Sequence, residues 1–172
     1  MVVIGLLLGV ARAEAQEFRL EQVNDSLSYV VLVTDSTEDR WQLPYPVYQF
    51  QTGDVDGDGS TDCMVGVIKP TRYYPTPARR LFIFKNFRGH VRPLWMGSKL
   101  GGILKDFRFL PDTEGGIIRA VESTTDGLFV VAEYRWQGFG MGFERFLAVK
   151  VSEEEADRVF KRVNFQTIQP QI

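Results

Sequence analysis

Four carboxylates stand at the first, third, fifth and ninth positions of the run Asp54-Val-Asp-Gly-Asp-Gly-Ser-Thr-Asp62. Like charges packed this closely repel one another unless a cation lies among them, and a set of oxygen donors suits a hard cation, calcium above all. In such a loop Asp54, Asp56, Asp58 and Asp62 supply side-chain oxygens and Ser60 its backbone carbonyl. Gly57 and Gly59 give the chain the freedom to turn tightly enough to aim those oxygens inward. The alternative is a solvated acidic turn. An EF-hand would carry a bidentate Glu at the twelfth position and lie between two helices. Here that position is Val65, and the flanks Pro46–Gln51 and Cys63–Ile68 are aromatic, β-branched and apolar. Both flanks read as strands, so the loop joins two strands.

The pattern Asp-x-Asp-x-Asp-Gly-x-x-Asp, carried by Asp54, Asp56, Asp58, Gly59 and Asp62, resembles the strand–loop–strand core of FG-GAP and VCBS-type repeats, over Phe50 to Val67. Arg80–Lys85 and Pro93–Trp95 are similar to the later strands of such blades. The resemblance implies a β-propeller-like hairpin in which calcium holds structure together, and a protein that binds rather than catalyses. A weaker echo lies 57 residues on, where Phe107 to Val121 passes through the acidic, Gly-rich Pro111–Gly116. Only Asp112 and Glu114 remain there as candidate oxygens, which reads as a degenerate repeat that kept the shape and lost the metal.

Other chemistry finds little support. His90 is the single histidine, which leaves a His-based triad or a His-ligated zinc without partners. A glycosidase pair could be drawn from Glu122, Asp126, Glu133 and Glu144. Glu133 lies within an apolar strand, where pairing with Arg135 is the simpler expectation. Gly138-Phe-Gly-Met-Gly142 lacks the strand–turn–helix context of a dinucleotide fingerprint. Cys63, the single cysteine, excludes an intrachain disulfide and alternates with Val65 and Val67 as a small buried residue would.

The formal net charge of −2 conceals an asymmetry. From Cys63 to Lys105 no acidic residue occurs, while nine Lys or Arg do, interleaved with aromatics. Lys69, Arg72, Tyr73, Tyr74, Arg79 and Arg80 are the candidate surface for an anionic ligand, by charge and stacking. The partners this chemistry suits are an acidic glycan, envelope phosphates or an acidic patch on an envelope protein. The same residues could meet nucleic acid, but the N-terminus argues against it. Residues 2–10 are an uncharged apolar run followed by Ala13-Glu-Ala15, which reads as a secretory signal peptide cut after Ala15. The expected location is therefore periplasmic or extracellular, where a chain without disulfides gains from a metal staple.

Residues 16–172 are expected to form one β-rich domain, all-β with mainly antiparallel hairpins and one short C-terminal helix. It would be either a partial propeller or a compact β assembly, with a full calcium-loop repeat over about 46–105 and the degenerate one over about 103–151. Trp41–Pro46 and the proline-rich Lys69–Pro77 are expected as connections, and Asp126-Gly127 as a hairpin turn. Ser152-Glu-Glu-Glu155 is a capping box, and Ala156, Val159, Phe160 and Val163 form the apolar face of the helix it starts. Three functions follow: a non-catalytic calcium-stabilised binding protein, an envelope hydrolase with calcium as scaffold, or an interaction subunit completing a propeller with a partner chain.

Overall fold

The computed structural model describes residues 15–97 and 100–162, so residues 1–14 of the proposed signal peptide, Lys99 and Val163 lie outside the described residues. The architecture is all-β with one terminal helix, as expected. Eleven strands form three antiparallel meanders. The first sheet holds β1 (Gln16–Asn24), β2 (Leu27–Thr34) and β3 (Glu38–Leu43). The middle sheet holds β4 (Val47–Gly53), β5 (Asp62–Thr71), β6 (Tyr74–Phe87) and β7 (His90–Met96). The last holds β8 (Ile103–Leu110), β9 (Ile117–Ser123), β10 (Phe129–Trp136) and β11 (Met141–Val151), followed by α1 (Glu153–Lys161).

The sheets stack face to face, and the alternation of side chains along each strand decides which layer a residue joins. Cys63, Val65 and Val67 of β5 and Phe82 and Phe84 of β6 pack with Phe18, Val30, Leu32 and Leu43 of the first sheet. Their neighbours Met64, Leu81 and Ile83 point the other way, onto Leu104, Phe107, Ile118 and Ala120 of the last sheet. A strand buried on both faces must be apolar at every position, which is why Cys63–Ile68 is an unbroken apolar run. The far face of the last sheet packs Val121 and Val131 against Ala156, Val159 and Phe160 of α1.

The two ends of the stack are covered differently. On the outer face of β1–β3, Arg19 and Arg40 flank Val31 across the sheet and pair with Glu21 and Glu38. Exposed ion pairs add little stability, but the aliphatic stems of both arginines lie beside Val31, which is fully buried. At the other end α1 is capped by Ser152, whose hydroxyl accepts from the Glu155 amide, as the sequence predicts. Its C-terminus rests on two arginines. Arg119 of β9 donates to the carbonyls of Phe160 and Arg162, and Arg108 of β8 to those of Phe160 and Lys161.

Two expected connections contain strands, the first only as far as Leu43. Glu38–Leu43 pairs along β2, with Trp41 and Leu43 turned inward and Glu38 and Arg40 outward. Lys69–Pro77 is the end of a long hairpin, closed by a turn at Arg72 and Tyr73 with Thr71 opposite Tyr74. Its prolines are tolerated because β7 pairs with β6 only from Phe82 onward, which leaves the outer edge of Tyr74–Leu81 without ladder partners among the described residues. Pro70 falls in the register shift between Lys69 and Thr71.

Candidate functional site

The Asp54–Asp62 loop joins β4 to β5, as its flanks predict. It is held by its own carboxylates accepting backbone amides. Asp54 accepts from Gly57 and Gly59, at 2.7 and 2.9 Å, and Asp58 accepts from Ser60 at 2.8 Å. Gly57 and Gly59 adopt φ of 75° and 83°, conformations that side-chain-bearing residues rarely take. This folding brings one oxygen each of Asp54, Asp56 and Asp58 within 4.8 Å of one another, an acidic triad able to hold a metal ion. Ser60 sits half-buried at the seventh position, and its amide is committed to Asp58.

Asp62, the fourth carboxylate, is fully buried. Its Oδ2 accepts from the Val55 amide at 2.9 Å, and its Oδ1 is buried with no hydrogen-bond partner among the described residues. Burial pushes its carboxyl up to about 7, against the pull of the Val55 amide, and the charge of Asp56 adds to the rise. A buried carboxylate oxygen without a donor is costly in a folded protein. Asp62 is not among the carboxylates gathered within 4.8 Å, so the donors brought together are those of Asp54, Asp56 and Asp58, oxygens of the kind that suit a hard cation.

Sequence reasoning placed Lys85 only in a general basic stretch. It is in fact the loop's counter-charge, reaching from β6 to Asp56 Oδ2 and, at 2.7 Å, to Asp58 Oδ2. Burial opposes its charge, but the two carboxylates outweigh that and hold the ammonium above its ordinary range. Burial likewise tends to raise Asp58, while the hydrogen bonds from Lys85 and Ser60 bring it below the usual carboxylate range.

The Asp112–Gly116 loop lies against the first loop's back. Gly116 donates its amide to the Asp54 carbonyl at 2.8 Å. Gly57 and Gly115 meet so closely that a Cβ on Gly115 would lie 3.0 Å from the Gly57 nitrogen. Here a guanidinium does the organising. Arg135 of β10 bonds Asp112 Oδ2 at 2.5 Å and the carbonyls of Glu114 and Gly115 at 3.3 and 3.0 Å. Its hydrogen bond to Asp112 is the main cause holding that carboxyl low. Lys85 and Arg135 occupy corresponding places, each on the third strand of its meander and each beside the start of the second strand.

The candidate carboxylate pair does not assemble. Glu133 bonds Arg119 and Arg145, and Arg135 is instead engaged with Asp112. Glu122 points to the opposite face of the last sheet and accepts from Tyr134 Oη at 2.6 Å. Glu144 is 3.9 Å from Arg135 and exposed. His90 is exposed, with Nδ1 3.5 Å from Asp39.

The six residues of the candidate anionic surface divide. Tyr73, Tyr74 and Arg80 line a cleft of about 660 Å³ between the β5–β6 hairpin tip and the segments leading into β8 and out of β9. Arg72 lies beside Tyr73, its guanidinium 5.8 Å from the ring centroid. Lys69 sits 4.5 Å over the Tyr45 ring, and Arg79 is over Tyr48 with a hydrogen bond to the Lys105 carbonyl. The acidic loop is at one end of β5 and the cleft at the other, roughly 30 Å away at about 3.3 Å per strand residue. The loop therefore does not neighbour the Lys69–Pro77 hairpin tip in space.

Comparison of the chain with protein families, with characterised proteins and with solved structures finds no match.

Proposed function

We propose that this chain is an exported, non-catalytic calcium-binding β protein that presents a binding surface in the cell envelope. The observation that supports the metal reading is the Asp54, Asp56 and Asp58 triad, with the buried, donorless Oδ1 of Asp62 at the end of the same loop. Asp54, Asp56, Asp58 and Asp62 would hold the ion, with the Ser60 carbonyl. Calcium is favoured over magnesium by the number of oxygens offered. The ion's role is structural. It neutralises four like charges and ties β4 to β5, the strand at the centre of the stack. Export rests on the apolar run of residues 2–10 and the small-x-small site ending at Ala15.

Calorimetric titration with calcium, alongside melting curves in calcium and in chelator, tests this. An ion that binds only the folded state stabilises it by about 2.7 kcal/mol at a hundredfold excess over Kd. A calcium-dependent rise in Tm with one ion bound per chain is expected. Identical melting curves together with a flat titration would reduce the loop to an acidic turn locked by Lys85.

A second reading, an interaction subunit, draws on β11. This edge strand carries exposed Phe143 and Phe146, with ring centroids 4.5 Å apart, and exposed Phe139 in the turn before it. Unpaired edges with apolar side chains invite pairing. Sedimentation equilibrium decides whether the isolated chain is monomeric or uses this edge to associate.

A further inference from the structure

We propose that the cleft under the β5–β6 hairpin tip is a binding site for a carboxylate-bearing sugar unit of an acidic glycan. This builds on the reading of the chain as an envelope binding protein and gives its ligand a chemical class. The cleft's volume of about 660 Å³ falls within the range of roughly 300–1,000 Å³ typical of small-ligand sites. Among the described residues Arg80 is its one charged lining group, and no carboxylate lines it. Arg80 Nε is buried without a hydrogen-bond partner, and the side chain forms no ion pair among the described residues. Its contact is with the Tyr74 ring, 5.8 Å from the guanidinium carbon. With Nε buried, the donors a ligand can meet are the two terminal nitrogens of the guanidinium, whose planar fork matches a carboxylate in two parallel bonds.

The rest of the lining separates a sugar acid from a phosphate. Gly101 and Gly102 look like a nest for phosphate oxygens, but both amides are taken. Gly101 donates to Tyr134 Oη at 3.0 Å, and Gly102 donates to the Glu122 carboxylate. Glu122 is itself buried directly behind them, so neither amide is free to turn toward a ligand. What remains open is suited to hydroxyl groups. The Thr71 hydroxyl accepts from the Tyr74 amide and keeps its proton to donate, and Thr125 lines the cleft with no side-chain hydrogen bond among the described residues. Tyr73 stands at the rim, 88% exposed, free to lie across the apolar face of a pyranose ring. One fork for a carboxylate, an aromatic platform and spare hydroxyls together describe a uronate.

The test is calorimetric titration of the whole protein, in chelator, with digalacturonate, neutral galactobiose, inorganic phosphate and a hexaglutamate peptide. Digalacturonate is expected to bind one per chain, at least about tenfold tighter than galactobiose, as a charge-assisted bidentate contact requires. Arg80→Met is expected to abolish that difference, and Arg80→Lys not to restore it in full. Tyr73→Ala, a change at an exposed rim that leaves the fold intact, is expected to weaken both sugars alike. No binding of digalacturonate, equal binding of galactobiose, tighter binding of phosphate or hexaglutamate, or indifference to both substitutions would each overturn the proposal. Because the titrations exclude calcium and the cleft lies at the far end of β5 from the acidic loop, failure of the metal reading leaves this result standing. A calcium-dependent rise in Tm without digalacturonate binding would sink the cleft alone.

Discussion

Lys85 Nζ lies 2.7 Å from Asp58 Oδ2, so an ammonium from β6 sits where the loop's negative charge is greatest. A lysine in that place competes with any metal for Asp56 and Asp58. Lys85→Met is therefore expected to act in opposite directions on the two states. The metal-free protein loses two charge-assisted hydrogen bonds and is left with uncompensated carboxylates, so its Tm falls. Calcium no longer has to displace the ammonium, and its Kd is expected to tighten about tenfold, the equivalent of about 1.4 kcal/mol. Titration of the variant beside the parent protein checks both signs. A weaker calcium affinity would mean that Lys85 supports the ion rather than opposing it.

Asp62 predicts how the metal-free protein responds to pH. Its folded carboxyl is pushed up to about 7, whereas an unfolded carboxyl titrates near 3.9. Between those values the folded state holds a proton that the unfolded state has released. Stability therefore declines as pH rises from about 4 and reaches its full penalty above about 7. With calcium bound the ionised carboxylate has its partner, and the decline is expected to disappear. Melting curves from pH 5 to 8, in chelator and in calcium, should diverge as pH rises. Asp62→Asn should flatten the chelator curve.

Asp54 and Asp58 should separate folding from binding. Asp54 accepts two amides of its own loop, so Asp54→Ala is expected to destabilise the protein by about 1–2 kcal/mol even in chelator, with a further loss in calcium. Asp58 is largely exposed, and Asp58→Ala should cost much more in calcium than in chelator. Equal losses for Asp58→Ala in the two conditions would count against a structural metal.

In the Asp112–Gly116 loop the guanidinium of Arg135 gathers the acidic side chain and two carbonyls. Arg135→Met removes one carboxylate and two carbonyl partners at once, and a loss of about 2 kcal/mol is expected, insensitive to calcium. Hydrogen exchange of the Gly115 and Gly116 amides reports whether the loop opens. A calcium rescue of this variant would show that the Asp112–Gly116 loop takes a metal.

How much of this was legible depended on the kind of signal. The acidic loop and its two strands could be read because aspartates at alternate positions and apolar flanks are local patterns. The two-sided burial of β5 is likewise written in Cys63–Ile68, where no polar residue interrupts the run. β3 was hidden because its outward residues, Glu38 and Arg40, serve an ion-pair lattice, so the segment looks like a polar turn. The strands around Lys69–Pro77 were hidden because proline argues against a paired strand, and only the tertiary structure reveals that this stretch runs along an edge. The partners of Lys85 and Arg135 were beyond local reading altogether. Each reaches a loop 20 or more residues away, from a strand whose facing is fixed only once the meander has formed.

Glu133 shows the same limit. Its place in an apolar strand marked it as unusual, but adjacency suggested Arg135 as its partner and the fold supplied Arg119 instead. Arg119 is fully buried, bonds Glu133 Oε1 at 2.8 and 3.0 Å, and holds the carbonyls at the end of α1. Removing one member of such a pair strands the other in a medium that solvates charge poorly, at a cost of about 3–5 kcal/mol. Arg119→Met should therefore destabilise the protein by that amount and loosen α1 in particular, since it also removes the helix's C-terminal anchor. Arg145, exposed but bonded to Glu133 at 2.7 Å, keeps the carboxylate partly compensated. Adding Glu133→Leu to Arg119→Met should then recover part of the loss by removing the stranded charge, while the helix carbonyls stay without their donor. Denaturant unfolding of the single and double variants measures that recovery, and its absence would show that Arg119 acts through the helix rather than through Glu133.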